Sequence, residues 1–276
     1  MEDERRGEPG SQQQLPSSFH QPPFCLKLCG FCLHHRQRLA YRWIPAATER
    51  LLDAGCSSGN CTRHYVRKAR EIWGIDPDEA GIVAARRKYP EIHFEQGHLE
   101  NLPFENRFFD VVTLTDVLEH VQDEVATRNE IYRVTRPGAT VIITTPHTGL
   151  FSWLDTNNYG FFLRTHLPRI YRFFTLVGLA QGSTEIGPKH RHYSFSDLER
   201  ILQKSDFVSG YTVTNIFRSG CFFYPLGGFV FDALGRLFPE RIAEMLTIPF
   251  RWLGDPDYWI PYGSIACSIG VCIRRK

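Results

Sequence analysis

Short apolar runs, each closed by a carboxylate, a glycine or a proline, recur through the middle of the chain. Leu51-Leu52 leads to Asp53 and then through Gly55 and Gly59, and Ile72-Trp73-Gly74-Ile75 ends at Asp76. Ile92-His93-Phe94 runs out at Gly97, and Val111-Val112-Thr113-Leu114 ends at Asp116. A helical stretch through Ile131 and Val134, a Pro137-Gly138 turn and Val141-Ile142-Ile143 complete a fifth unit ending at Pro146. Runs of this length between helical stretches predict strands of an α/β fold. Further on, Ser194-x-x-Asp197 is a capping pattern for a helix carrying Leu198, Ile201 and Leu202. Phe207 to Phe217 reads as a sixth strand, and Ser264 to Ile273 as the last.

The turn after the first strand carries the first chemical signal. Gly55 and Gly59 have no Cβ to obstruct a ligand lying against the backbone. A dinucleotide site would want G-x-G-x-x-G, and the two further glycines it needs after Gly55 are replaced by Ser57 and Asn60. A nucleoside site fits better, because Asp76 at the end of the second strand can accept hydrogen bonds from both ribose hydroxyls.

Taken together, these ordered landmarks resemble a class I S-adenosylmethionine-dependent methyltransferase of the ubiquinone-biosynthesis-like type. The resemblance covers about residues 48–150 well and residues 190–216 loosely. It implies a doubly wound, seven-stranded Rossmann-like α/β sheet whose last strand is antiparallel. It further implies that Asp53, Gly55, Ser57 and Gly59 form the cofactor loop and that Asp76 holds the ribose. His98 and Leu99 would flank the adenine, and Asp116 would lie near the methionine end. Two positions depart from the family pattern: Ser57 replaces a glycine, and His98 replaces an acidic residue and cannot accept two hydrogen bonds as a carboxylate does.

Composition narrows the surroundings. A chain of 276 residues, 42% hydrophobic, can bury a full core. A formal net charge of +2, with basic residues scattered, lacks the electrostatic footprint of a nucleic-acid binder. Residues 1–23 are polar and are expected to form a disordered tail, and no secretory signal opens the chain, so a cytoplasmic location is expected.

Residues 24–48 read as an N-terminal helical segment and hold Cys25, Cys29 and Cys32 with His34 and His35 following. That spacing suits an iron–sulfur cluster or, with a histidine, zinc, and the rest of the chain argues against the radical barrel a cluster would need. Plain packing on an amphipathic helix is the favoured reading. Leu39, Tyr41, Trp43 and Ile44 continue the segment as packing, or secondarily as a lid.

Methyl transfer needs alignment and a deprotonated nucleophile. His120 and Asp116 are the catalytic candidates, since Asp116, Glu119 and His120 share one face if a helix starts at Asp116. The same three side chains could hold a divalent cation, although helix capping is the favoured alternative. Glu119, His147, His190 and His192 are candidate substrate contacts.

Two aromatic segments interrupt the core of residues 49–150, 194–217 and 263–276. Residues 151–193 read as a cap that selects the acceptor, and residues 218–262 as a second insertion. The apolar run before Asp232 is too short to span a bilayer, and aromatic residues near Arg236, Arg241 and Arg251 suit either a membrane interface or a cap. The expected activity is methyl transfer to an oxygen, less readily to nitrogen or carbon, of a small or lipid-linked acceptor. The alternatives are a non-catalytic S-adenosylmethionine-binding protein and a metal-binding regulatory module.

Overall fold

The computed structural model describes residues 35–155, 158–176, 190–204 and 210–276. The tail expected at residues 1–23, the Cys25, Cys29 and Cys32 cluster, and the expected start of the sixth strand at Phe207 lie outside them. In chain order the elements are α1 (His35–Trp43), β1 (Thr48–Ala54), β2 (Ala69–Asp76), α2 (Glu79–Lys88), β3 (His93–Gln96), β4 (Phe109–Thr115), α3 (Glu124–Val134) and β5 (Thr135–Pro146). There follow α4 (Tyr159–His166), α5 (Pro168–Leu176), α6 (Phe195–Gln203), β6 (Tyr211–Ser219), α7 (Phe223–Leu237), α8 (Glu240–Trp259) and β7 (Ser268–Arg275).

One sheet orders the strands β3-β2-β1-β4-β5-β7-β6. The first five run parallel, and β7 lies antiparallel to both β5 and β6. The apolar runs of the sequence become central strands because alternate residues are buried on opposite faces. Leu52, Leu114 and Ile143 pack with Ile131 of α3 and Leu198 of α6, while Leu51, Val111 and Ile142 pack with Ile44 beyond α1 and Ile82 of α2. The expected Pro137-Gly138 turn is instead part of β5. Pairing with β4 jumps there from Phe109↔Thr135 to Val111↔Thr140, and Gly138 absorbs the irregularity at φ +82°.

The helix caps are local in origin. Asp78 accepts from the Ala80 N–H and Asp123 from Val125 and Ala126, opening α2 and α3. Ser194 and Asp197 form the reciprocal capping box of α6. Helix α1 packs Leu39 and Ala40 into the protein. It can lie against β7 because Gly270 has no Cβ, which would sit 2.5 Å from Leu39 Cδ2. Arg38 pairs with Asp255 of α8 at 2.6 Å, and Arg42 stacks on Trp259.

The two aromatic insertions meet. Tyr159 of α4 lies edge-on to Phe229 of α7 at 4.9 Å, and Phe151 meets Phe222 at 5.0 Å. Among the described residues no helix is long and apolar enough to cross a membrane.

Candidate active site

Strands β1 and β4 are neighbours from which the chain departs in opposite directions, and ligands of open α/β sheets bind in the crevice beyond the carboxyl ends of such strands. Gly55 leaves β1 at φ +83°, and a Cβ there would lie 2.3 Å from Val117 Cγ2. Ser57 also takes a left-handed conformation, at φ 47°, so serine has adopted the backbone that a glycine holds without strain. Its N–H donates to Asp76 Oδ2 at 2.8 Å, and the Asp78 N–H donates to Oδ1 at 3.0 Å. Asp76 is half-buried at the end of β2. Each of its oxygens keeps a further lone pair, so the carboxylate can also receive two neighbouring hydroxyls. These residues fit the nucleoside part of the cofactor that the resemblance implies.

Asp53 plays a different part in the same loop. Its carboxylate is buried, accepting from Thr62 Oγ1 at 2.6 Å and Thr113 Oγ1 at 2.8 Å, and burial pushes its pKa up to about 6. It pins the chain after the glycines to β4. Leu99 likewise buries its side chain in the core, whereas His98 is exposed on the turn after β3.

The expected helix at Asp116 is absent. The chain continues β4 far enough for the Asp116 N–H to reach the Thr144 carbonyl at 2.9 Å, then turns at φ 58°, and α3 begins only at Glu124. A single turn, closed by the His120 N–H on Val117, therefore points the three candidate side chains in different directions. Asp116 ion-pairs with Arg36 of α1 at 2.7 Å. Glu119 turns inward and accepts from Thr145 Oγ1 at 3.0 Å. Desolvation, reinforced by the Asp116 charge and opposed by Arg36, pushes Glu119 up to about 7. His120 faces outward. Among the described residues no three His, Cys, Asp or Glu side chains are grouped to hold a metal ion, and at Asp116 the neighbouring cation is a guanidinium.

His120 meets His190 edge-to-face, with ring centroids 4.7 Å apart. His190 Nδ1 lies 3.2 Å, and His192 Nε2 3.1 Å, from Asp155 Oδ2. A carboxylate oxygen only accepts, so His190 Nδ1 carries a proton and the neutral His190 ring has Nε2 as its acceptor, whereas His192 Nε2 also lies 3.1 Å from the Asn158 amide nitrogen. Asn158 fixes the segment by exchanging two hydrogen bonds with the His190 backbone at 2.9 and 3.0 Å. Burial lowers the His120 pKa, and the neighbouring His190 lowers it further. Burial pulls His190 down, but its bond to Asp155 and the charges of Asp155 and Glu119 together outweigh this and leave it raised. His147 is apart from this cluster: it is buried, and its Nδ1 bonds the Ala266 carbonyl at 2.8 Å, which joins the end of β5 to the approach to β7.

Arg36, Asp155, Tyr224 and Tyr258 were not singled out by the sequence. Tyr224 of α7 and Tyr258 of α8 face the Arg36–Asp116 pair, and burial raises the pKa of both phenols, so they stay protonated. One signal for Arg36 existed, since it stands three, four and eight positions before the buried Leu39, Ala40 and Ile44, on the packed stripe of α1.

Residues 52–143 match the methyltransferase domain family. A Mycolicibacterium smegmatis protein named "Probable S-adenosylmethionine-dependent methyltransferase" is 36% identical over 116 residues, which are 42% of this chain and 44% of that protein. The matched segment thus spans less than half of that relative. The ubiquinone biosynthesis O-methyltransferase of Alkalilimnicola ehrlichii is 28% identical over 169 residues, 54% of this chain and 68% of that one. The fold resembles that of the YcgJ protein from Bacillus subtilis, with a TM-score of 0.53 at 17% identity, covering 88% of this chain and 99% of that structure.

Proposed function

We propose that residues 52–143, which match the methyltransferase domain family, bind S-adenosylmethionine, and that the whole protein transfers a methyl group to an oxygen of a small or lipid-linked, largely apolar acceptor. The observation that carries this reading is the meeting at one sheet end of a nucleoside-fitting cradle, Gly55 to Asp76, with an imidazole pair, His120 and His190. S-Adenosylmethionine, when bound, supplies a methyl group activated by a positively charged sulfur.

The chain's own residues do the rest. Asp76 receives the ribose hydroxyls and, through the Ser57 N–H, holds the glycine turn open for the nucleoside. His120 takes the proton from the acceptor hydroxyl, for which its lowered pKa keeps it neutral near neutral pH. His190, oriented by Asp155, lies edge-on to His120 and adds to the lowering of its pKa that burial begins. The Arg36–Asp116 pair and the Tyr224 and Tyr258 phenols close the site from the side of α1, α7 and α8. An oxygen acceptor is favoured because an imidazole suffices to deprotonate an activated hydroxyl, and an apolar acceptor because both caps present aromatic side chains.

Titration calorimetry with S-adenosylmethionine and S-adenosylhomocysteine, followed by transfer of labelled methyl to quinols, phenols and lipid-linked sugars, tests the proposal. Binding of both, with label recovered as an O-methyl ether, supports it. Binding without turnover on any acceptor would instead identify a non-catalytic cofactor-binding protein, and binding of neither would remove the cofactor assignment.

A further inference from the structure

A helix on a protein surface ordinarily turns an apolar stripe inward and a polar one outward. Helix α8 buries one stripe and exposes another that is apolar. Its inner stripe comprises the buried Ala243, Thr247, Gly254, Asp257 and Tyr258. Its outer positions Ile242, Met245, Leu246, Pro249, Trp252 and Leu253 recur at helical spacing and are all exposed, Trp252 by 78% and Met245 by 61%. Helix α5 extends the anomaly, since none of its nine residues is buried. Ile170, Phe173 and Leu176 form an exposed stripe on it, with Leu176 exposed by 85%. So short a helix with no fully buried side chain gains little from its own hydrogen bonds, and an apolar surface of this extent marks a contact site.

Charge selects the occupant. From Tyr159 to Leu176 the chain carries Arg164, Arg169 and Arg172 and no aspartate or glutamate. Arg169 and Arg172 are exposed, one position before Ile170 and Phe173 respectively. On α5 the cations are interleaved with exposed Ile, Phe and Leu, a pattern that matches an anionic headgroup layer above acyl chains, where arginine remains at the interface while apolar side chains, Trp252 of α8 among them, enter. A two-fold contact of α5 with its own copy would instead set these arginines against one another.

We infer that the outer stripe of α8, together with α5, docks the protein on a bilayer containing anionic lipid. The inner sides of the same caps bring Tyr224 and Tyr258 to the Arg36–Asp116 pair, so docking sets the site close to the headgroup layer. The inference concerns the surface alone and does not depend on the methyl-transfer reading.

Sedimentation of the full chain with phosphatidylglycerol-containing and pure phosphatidylcholine vesicles tests it. The protein should pellet with the anionic vesicles, less with the neutral ones, and be partly released by salt. M245E/W252E changes only exposed positions and should weaken partitioning by about tenfold or more. R169E/R172E should reduce binding to anionic vesicles while leaving the weaker neutral binding in place. Hydrogen–deuterium exchange on the unaltered protein provides a readout independent of the variants, with protection expected at residues 168–176 and 242–253 when anionic vesicles are added. No vesicle binding, or binding that M245E/W252E and R169E/R172E leave unchanged, would overturn the inference. So would a dimer that M245E/W252E dissolves in a protein that ignores vesicles.

Discussion

Arg36 Nη1 and Asp116 Oδ1 lie 2.7 Å apart, with side chains only 13% and 27% exposed, and they join the first described helix to the end of the central strand β4. Desolvation alone would lower the Arg36 pKa, but Asp116, followed by Tyr224, Glu119 and Tyr258, holds the guanidinium well above its ordinary value. The pair is thus the meeting point of α1, the β4 turn and the α7–α8 insertion.

Breaking that pair should destabilise the protein more than removing it whole. Arg36→Met leaves Asp116 without its cation and should cost about 2 kcal/mol, below the roughly 3–5 kcal/mol of a fully buried pair because part of Asp116 meets solvent. Adding Asp116→Asn should recover part of the loss. Denaturant unfolding of the two single variants and the double variant measures the coupling, and strictly additive effects would show that the pair contributes nothing as a pair.

Glu119 should make stability fall as pH rises. Its folded pKa of about 7 exceeds the ordinary 4.5, so between those values the native state holds a proton that the unfolded chain has released. Stability associated with that proton is present below the unfolded value and is lost as pH rises through the folded one. Glu119→Gln keeps a partner for Thr145 and does not titrate, so its Tm should fall less than that of the wild type between about pH 5 and about pH 8. Equal slopes would take Glu119 out of this role.

Asp76→Ala should weaken S-adenosylmethionine and S-adenosylhomocysteine alike, because the ribose is common to both. Loss of a hydrogen bond to a charged acceptor is worth about 1.5–3 kcal/mol, or roughly ten- to a hundredfold in Kd. Calorimetry reads this directly, and Asp76→Asn, which retains one accepting oxygen, should fall between. Unchanged affinity would remove Asp76 from the ribose role.

The parts of this fold that were legible in the sequence are those set by local pattern. Strands β1, β2, β4 and β5 showed as apolar runs because central strands bury both faces, and the α6 cap showed because Ser194 and Asp197 satisfy each other within one turn. The Asp116–His120 turn did not show. Its charged residues have helical spacing, but the Asp116 N–H is taken by Thr144 on the adjoining strand, a long-range bond that outweighs spacing. Arg36, Tyr224 and Tyr258 come from opposite ends of the chain, and the meeting of such residues leaves no periodicity to read. Asp155 was hidden for the same reason, since only folding brings it to His190 and His192.

The imidazole pair yields the sharpest kinetic test. His120→Ala should lower kcat about a hundredfold or more while S-adenosylmethionine affinity stays nearly constant, as expected of a base that touches the acceptor rather than the cofactor. His190→Gln should act through His120 instead. Burial is the larger cause of the low His120 pKa, but the charge on His190 contributes, and its removal lets His120 bind a proton more readily. The base is then deprotonated only at higher pH, so the acidic limb of the kcat/KM profile should move to higher pH, with activity above that limb largely retained. A purely structural role for His190 would lower activity across the whole range without moving the limb. A limb that stays in place in His190→Gln, with His120→Ala fully active, would transfer the proton-accepting role to some other group.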